Sequence, residues 1–447
     1  MAIKGWQYLT VDEIKASSPS SIAIGPFGSR MKSDLYTSAG VPVIRGNNLS
    51  DSHVLKGEFV YVSPETADEL AGCNVFPGDL VFPHRGAIGE VGIVPADGPA
   101  RFILSTSLMK LTCNRALAEP MFLFYFFRSR QGRHELLKNA STVGTPGIGQ
   151  PLTSLRSIRV PVPEIPEQRA IIGVLSDLDN KIELNRQTNR TLEAITGALF
   201  KSWFVDFDPA RANSNRREPR WLGPIADLFP DSFEASTRGP VPKGWQVKTI
   251  RELCSTIQYG LTTSGHVEPV GPKFLRITDI QGGWVNWGTV PHCDASPEEI
   301  EKYRLCPHDV VVARTGASTG ENLYLPTVPN AVFASYLVRF QFSDPSLARM
   351  VGAYMRTQDY FEYIANCIGG SAQPNASAQV LASAHLVVPP ENLVRNFAAT
   401  VWPMDLKSTE NDKESQVLSE LRDVLLPKLI AGELRVKDAE REIAEYV

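Results

Sequence analysis

Apolar and polar positions along the chain follow two rhythms, and the pair of rhythms occurs twice. Up to about residue 163 the apolar residues come in short runs broken by Gly, Pro and Asn, as in LVFP, VGIV and SLMKL. Short runs bounded by turn residues predict strands. MFLFYFFRSRQGRHELLKNA (121–140) adds a helical pattern among them. From Pro166 the rhythm changes. Steps of four and three run through Ile171, Leu175, Leu178, Ile182, Asn185, Asn189, Leu192, Thr196, Leu199 and Trp203, which is a heptad seam. A helix over 168–204 would be about 55 Å long at roughly 1.5 Å per residue. One apolar stripe on a helix of that length needs a partner.

Short runs return in 241–389, FLRIT and VVVA among them, and a second helical stretch follows. Pro403 lies inside it. Proline lacks an amide hydrogen and crowds the preceding turn, so a kink or restart is expected there, with a straight helix from about Asp405 to the stop at Gly432. The stretch 207–240 is Pro-rich and reads as a loop. Asn185 and Asn189, on the seam, have two readings. Either they are tolerated near an exposed end, or they are buried and fix the register of the pairing.

The double rhythm is an internal repeat. Gly5-Trp6-Gln7 recurs as Gly244-Trp245-Gln246, and VPVIRGNNLSD (41–51) as PKFLRITDIQG (272–282). FPGDLVFPHRGAIG (76–89) recurs as CPHDVVVARTGASTG (306–320), with Pro77, Asp79 and Gly86 matched by Pro307, Asp309 and Gly316. The landmarks keep their order, so the chain is a tandem duplication of a globule followed by a helix. The fold class expected is α/β (α+β): two pseudo-symmetric α/β domains separated by two long helices that pair as an antiparallel coiled coil, with a globule at each end. The boundaries read are a first globule over 1–163, a central helix over 164–206, a linker over 207–240, a second globule over 241–389, a distal helix over 390–434 and an acidic tail over 435–447.

Composition narrows the class. The chain of 447 residues is 43% hydrophobic and 21% charged, which fits globular domains with real cores. No apolar run approaches a membrane span, and MAIKGWQYLT lacks the apolar run of a secretory leader. Six scattered cysteines without a CxxC fit a reduced, cytoplasmic protein. The net charge of −4 does not announce nucleic-acid binding, but 1–163 holds 16 Lys and Arg against 13 Asp and Glu, so a basic face can hide in the total.

Enzyme signatures are missing. No Gly-Lys pair occurs, which excludes a Walker A loop, and no Asp/Asn-Pro-Pro-aromatic tetrad of amino-methyltransferases is present. GAIGEVG (86–92) and GTPGIG (144–149) lack dinucleotide-binding spacing. His292, Cys293, Cys306 and His308 are too tightly paired for usual zinc ligands, so no metal site is expected.

With that background, PEQRAIIGVLSDLDNKIELNRQTNRTLEAITGALFKSWFVDFDPARA (166–212), ELRDVLLPKLIAGEL (420–434) and VPKGWQVKTI (241–250) resemble the specificity subunit of type I restriction–modification enzymes, over essentially the full length. The resemblance implies a non-catalytic subunit with two target-recognition domains, each reading half of a split double-stranded DNA sequence. It implies a helical spacer that docks two methyltransferase subunits, which restriction subunits join. S-adenosylmethionine, ATP and Mg would be bound by those partners and no cofactor by this chain. A degenerate scaffold that binds partners without reading DNA is the alternative.

Base readout needs Arg, Lys, Asn, Gln, Ser or Thr on loops that enter a groove. Three loops recur at matched places: Arg30 and Lys32, matched by Thr262 to Ser264; Arg45, Asn47 and Asn48, matched by Arg276, Thr278 and Asp279; His84 and Arg85, matched by Arg314 and Thr315. The Gly-rich tract before each helix adds Gln373 and Asn375, and Arg128, Arg130, Arg133 and Lys138 read as phosphate contacts. A solvated surface is the plainer reading of each. Partner binding is expected at Leu175, Leu178, Ile182, Leu192, Leu199, Phe200, Trp203, Leu421, Leu425 and Leu426, with Phe200 and Leu426 facing outward.

Overall fold

The computed structural model describes residues 6–27, 30–50, 52–141, 144–215, 223–368 and 375–444, without the side chains of 223 and 224. It divides into two compact units, 1–183 with 417–447, and 184–416.

In the first unit, strand Gln7–Thr10 pairs antiparallel with Arg159–Val162 and closes the globule on itself. Trp6 is buried beside Phe122, ring centroids 6.5 Å apart, and its indole N–H donates to Glu167 at 3.1 Å. Thr10 then caps the short helix Val11–Ile14, with Glu13 returning the bond to the Thr10 amide. Ile22–Ile24, Leu108–Leu111, Leu80–Pro83 and Gly92–Ile93 form an antiparallel sheet in that order. A mixed sheet has the order Tyr36–Thr37, Val60–Val62, Val41–Ile44, Phe102–Leu104, Asn74–Val75, with Val41–Ile44 and Phe102–Leu104 parallel. Helix Pro120–Arg128 buries Phe122 to Phe127 without a break, as expected of a helix apolar on all sides.

The second unit repeats the plan. Gln246–Thr249 pairs antiparallel with His385–Val388, and Thr249 and Glu252 form the same capping box. Thr256–Tyr259, Leu337–Gln341, Val310–Ala313 and Asn322–Tyr324 match the first antiparallel sheet. Lys273–Leu275 lies parallel to Ala331–Phe333, the counterpart of the parallel pair. A buried ion pair is repeated as well: Lys110 with Asp79 at 3.8 Å, and Arg339 with Asp309 at 3.6 Å. In each copy the carboxylate also accepts a backbone N–H, from Phe76 or Cys306, at 3.0 and 2.9 Å.

The two long helices are Ile165–Phe204 and Glu391–Ile430, 40 residues each. In the first unit Ile171, Leu175, Leu178 and Ile182 share a core with Leu418, Leu421, Leu425 and Leu429. Arg422 donates to Asp179 at 2.8 Å, and the Tyr125 hydroxyl donates to the same carboxylate at 3.0 Å. In the second unit Asn185 reaches Glu414 at 2.8 Å, Asn189 reaches Asp412 at 2.8 Å, and Thr196 meets Met404. Numbers fall along one helix as they rise along the other, so the pairing is antiparallel. Asn185 and Asn411 are buried, and Asn411 donates to Asn189 at 2.8 Å. The seam asparagines are therefore paired inside the helix pair, which favours the register-fixing reading over tolerance.

Three expectations are corrected. The distal helix does not restart after Pro403 but is helical from Glu391. A proline costs about 3 kcal/mol in a helix interior, while burial of Leu393, Val394, Phe397 and Val401 on one face contributes about 1.5–3 kcal/mol each. Phe200 and Leu426 do not face outward: Phe200 packs on Phe204, Tyr354 and Phe397, and Leu426 lies in the first unit's core. The stretch read as a loop holds a helix, Asp208–Ser214, and a hairpin of Phe233–Ser236 with Gly239–Pro242. Pro209, near the helix start where no amide hydrogen is needed, favours the helix rather than a turn.

The polar stretch of the seam predicts a pH effect. Burial pushes the Asp412 carboxyl up to about 6, although the Asn189 amide favours its charged form. The folded state then holds a proton that the unfolded chain has released, so this group's contribution to stability falls as pH rises from about 4 to about 6. The thermal midpoint of Asp412→Asn should rise relative to the parent across that window and keep a constant lead above it. A constant difference from pH 4 to 7 would contradict the assignment.

Candidate nucleic-acid interface

In each unit the loops at one end of the two sheets are tied together by backbone bonds. In the first unit, Ser105 N–H donates to Ile44 O at 2.9 Å, which joins the ends of the two parallel strands. Gly25 N–H donates to Leu108 O at 2.8 Å and His84 N–H to Ser107 O at 2.9 Å. Ile148 N–H donates to His84 O at 2.9 Å, and Arg85 forms a bridge with Gly147. The second unit has the same knot. Ala334 N–H donates to Leu275 O at 2.9 Å, Arg314 N–H to Tyr336 O at 3.0 Å and Ala376 N–H to Arg314 O at 2.8 Å, while Thr315 bridges Asn375. The loops read separately from the sequence, and the tract before each helix, thus converge.

Two glycines permit this approach, and sequence reasoning missed both. A Cβ on Gly25 would lie 1.9 Å from Ser105 O, and one on Gly260 would lie 2.3 Å from the carbonyls of Phe333 and Ala334. Their signal was present: each follows the first strand of its sheet, and the two match in the repeat.

The side chains fall into three groups. Arg30, Lys32, Asn47, Arg85, Thr278 and Asn375 are exposed. Arg45 and Arg276 are half-buried and bound within their own loops: Arg45 Nη2 donates to Glu58 O at 2.9 Å, and Arg276 holds Asp279 with Nε and Nη2 at 3.0 and 2.9 Å. Thr315 is half-buried. Arg314 is half-buried too, its Nε donating to Ser335 O at 3.2 Å and its guanidinium lying 5.0 Å from the Tyr259 ring centroid. Asn48 and His84 are buried. Asn48 accepts from Arg45 N–H at 2.9 Å and donates to Lys56 O at 2.8 Å, so it shapes its turn rather than facing a groove. His84 Nε2 lies 3.1 Å from Thr106 O, and burial pushes its pKa down, which favours the neutral ring. Gln373 lies outside the described residues.

Of the basic residues beyond the first sheets, Arg130 is the exposed first residue of helix Arg130–Leu137. Arg133 pairs with Glu90 at 2.7 Å and Lys138 with Glu135 at 2.5 Å, and Arg128 lies 5.4 Å from the Phe124 centroid. Glu90 follows the Arg85 loop, so this helix stands beside the loop cluster. Among the described residues no group of three or more His, Cys, Asp or Glu could hold a metal ion, and no helix is long and apolar enough to cross a membrane.

Residues 26–194 match the family model of the type I restriction modification DNA specificity domain. The chain is 23% identical over 444 residues to the type I restriction enzyme HindI specificity subunit of Haemophilus influenzae, with 86% of this chain and 94% of that one covered. It is 25% identical over 436 residues to the type I restriction enzyme MjaIX specificity subunit of Methanocaldococcus jannaschii, with 90% and 89% covered. The crystal structure of a type I restriction-modification system S subunit from M. genitalium has a TM-score of 0.52 to this chain at 16% identity, covering 95% of this chain and 96% of that one, which speaks for the fold. The match of residues 26–194 to that family model and the likeness to these specificity subunits bear out the resemblance read from the sequence.

The glycine contacts give a test of the loop cluster. Gly25→Ala and Gly260→Ala each force backbone apart, so each should destabilise its own unit by about 2–4 kcal/mol. Hydrogen exchange should show lost protection in the strands of the substituted unit alone. Equal losses in both units would contradict the repeated, separate clusters.

Proposed function

We propose that the chain is the DNA-sequence-recognition subunit of a type I restriction–modification enzyme and has no catalytic chemistry of its own. The observation that carries this reading is the loop cluster repeated in two units of a chain with a DNA specificity domain. Each unit reads one half of a bipartite double-stranded target. The recognition domains are 1–163 and 241–389, and the segments 164–206 and 390–434 are the helical spacer, with 207–240 as linker and 435–447 as tail. Among the candidate residues, Arg30, Lys32, Asn47, Arg85, Thr278, Arg314, Thr315 and Asn375 are those free to face bases or phosphates, and Arg130 is the best placed for a phosphate beside the first cluster. Arg45, Asn48, His84 and Arg276 support the loops.

Two methyltransferase subunits dock on the helices, and restriction subunits join through them. S-adenosylmethionine, ATP and Mg belong to those partners, in the cytoplasm. Of the seam leucines, Leu175, Leu178, Leu421 and Leu425 are buried and Leu192 and Leu199 are half-buried, so docking falls to the apolar residues that the helices leave exposed. These are Leu184, Ile195 and Leu406 in the second unit and Val417 and Val424 in the first, from 40% to 56% exposed.

Methylation mapping with the assembled complex tests the reading. A bipartite motif is expected, and exchanging 241–389 for a relative's segment should change one half only. Arg85→Ala should relax selectivity in the other half. Arg130→Ala should weaken binding to all sequences alike and lower the salt slope by about 1. A complex that assembles yet binds every sequence equally would favour the scaffold without readout.

Docking has its own test. Ile195→Glu and Leu406→Glu should each weaken methyltransferase binding about tenfold or more, the scale of an interface anchor near 2 kcal/mol, while the thermal midpoint of the chain stays close to the parent's. At the methyltransferase concentration that just saturates the parent, native mass should show one methyltransferase copy fewer. Two copies bound with parental affinity by both variants would refute this surface.

A further inference from the structure

Arg314 differs from every other candidate reader in how it is held. Its Nε donates to Ser335 O at 3.2 Å, and its guanidinium lies 5.0 Å from the centre of the Tyr259 ring. The ring is itself fixed. Tyr259 ends a strand paired with Val338, and its hydroxyl accepts from Ala378 N–H at 2.9 Å. Arg314 is also pinned by backbone bonds on both sides, to Tyr336 and Ala376. What remains is the outer edge of the guanidinium. Its two Nη groups have no partner among the described residues, and no carboxylate among them neutralises it.

A flat guanidinium with one donor anchored and two parallel donors free matches a pair of acceptors in one plane. Guanine offers such a pair in the major groove, O6 and N7. A phosphate can also take both donors of the fork, but a phosphate contact carries no sequence information, so dependence on one base separates the two. Among its described residues the first unit has no such device. Buried His84 stands where Arg314 stands, and Ile24 stands where Tyr259 stands, the latter two each being the residue before the close-approach glycine.

We propose that Arg314, held over the Tyr259 ring and by Ser335, is a specificity-determining residue that reads a guanine through O6 and N7 in the half-site contacted by the second unit. This rests on the reading of the chain as a DNA-recognition subunit. Tyr259 is a positioning residue.

The experiment uses the full-length chain assembled with its methyltransferase subunit and duplexes carrying the mapped target. Each guanine of the second half-site, on either strand, is replaced in turn by 7-deazaguanine, which pairs normally but lacks N7. One position should lower affinity between about fivefold and about a hundredfold, the range for a bidentate base contact. Arg314→Ala should bind the unmodified target more weakly by a similar factor and lose its sensitivity to that one replacement. Tyr259→Leu should lose the same sensitivity, and Tyr259→Phe should keep it. The proposal is overturned if the half-site has no guanine, or if Arg314→Ala keeps the parent's sensitivity. It is equally overturned if Arg314→Ala weakens all sequences alike with a lower salt slope, which is a phosphate contact. A parent complex indifferent to any base change would overturn the recognition reading itself, and that outcome is distinct from all of these.

Discussion

The first strand of each globule lies antiparallel to its last, Gln7–Thr10 against Arg159–Val162 and Gln246–Thr249 against His385–Val388. Pairing of this kind puts the place where a globule begins beside the place where it ends. The long helix must then leave from the side on which the chain came in. In the first unit the contact is direct, since Trp6 reaches Glu167 in the opening turn of the helix at 3.1 Å. A globule closed in this way behaves as an insertion before a helix. Its loops can change in length and composition without disturbing the closure, which is what a unit that varies its surface while keeping its attachment requires.

The helices carry the second constraint. Where they share the first unit's core, leucines and isoleucines interlock and one buried ion pair, Asp179 with Arg422, is satisfied further by Tyr125 from the globule. In the second unit Arg349 holds Asp405 with two bonds, at 2.7 and 3.0 Å, so a helix of the globule again grips a helix carboxylate. Asn185, Asn189, Asn411 and Asp412 pair among themselves and with backbone. Leucine seams alone tolerate slippage by a heptad. A slip would leave the buried amides of Asn185 and Asn411 without a partner, at about 1–3 kcal/mol per group. The polar stretch therefore specifies the register that the apolar seam stabilises.

Much of this could be read from residue pattern because the relevant signals are local. Heptad spacing marked the helices, and the paired Gly-Trp-Gln and Pro-x-Asp landmarks marked the duplication. Pro403 misled because propensity is a local quantity, while the burial of Phe397 and Val401 that overrides it is tertiary. Phe200 misled for a related reason: a heptad names one stripe, and of the aromatic cluster that covers the next stripe only Phe204 is on the same helix, while Tyr354 and Phe397 come from distant parts of the chain. At the candidate interface, residue type identified the loops but not their use. Arg45 and Arg276 look like readers in sequence, yet their side chains are committed to Glu58 and Asp279. Only coordinates separate a guanidinium that holds a loop from one that the loop presents.

That separation bears on how a duplicated fold can recognise two different half-sites. The supports are the same in both copies: the capping boxes of Thr10 with Glu13 and Thr249 with Glu252, the buried pairs of Asp79 with Lys110 and Asp309 with Arg339, and the glycines at 25 and 260. Each is buried or backbone-directed, so a change there costs stability in a way that no change of target repays. The groups at the loop cluster differ: Arg30 and Lys32 against Thr262 to Ser264, Arg85 against Thr315, buried His84 against half-buried Arg314, Ile24 against Tyr259. Ile24, Tyr259, Arg85, Arg314 and Thr315 stand at or just past the ends of strands whose register is already fixed, and Arg30, Lys32 and Thr262 to Ser264 lie on loops between strands, so these side chains can be replaced at little cost to the fold. Buried charge and close backbone contact hold the two units alike, and the strand ends are where they are free to diverge.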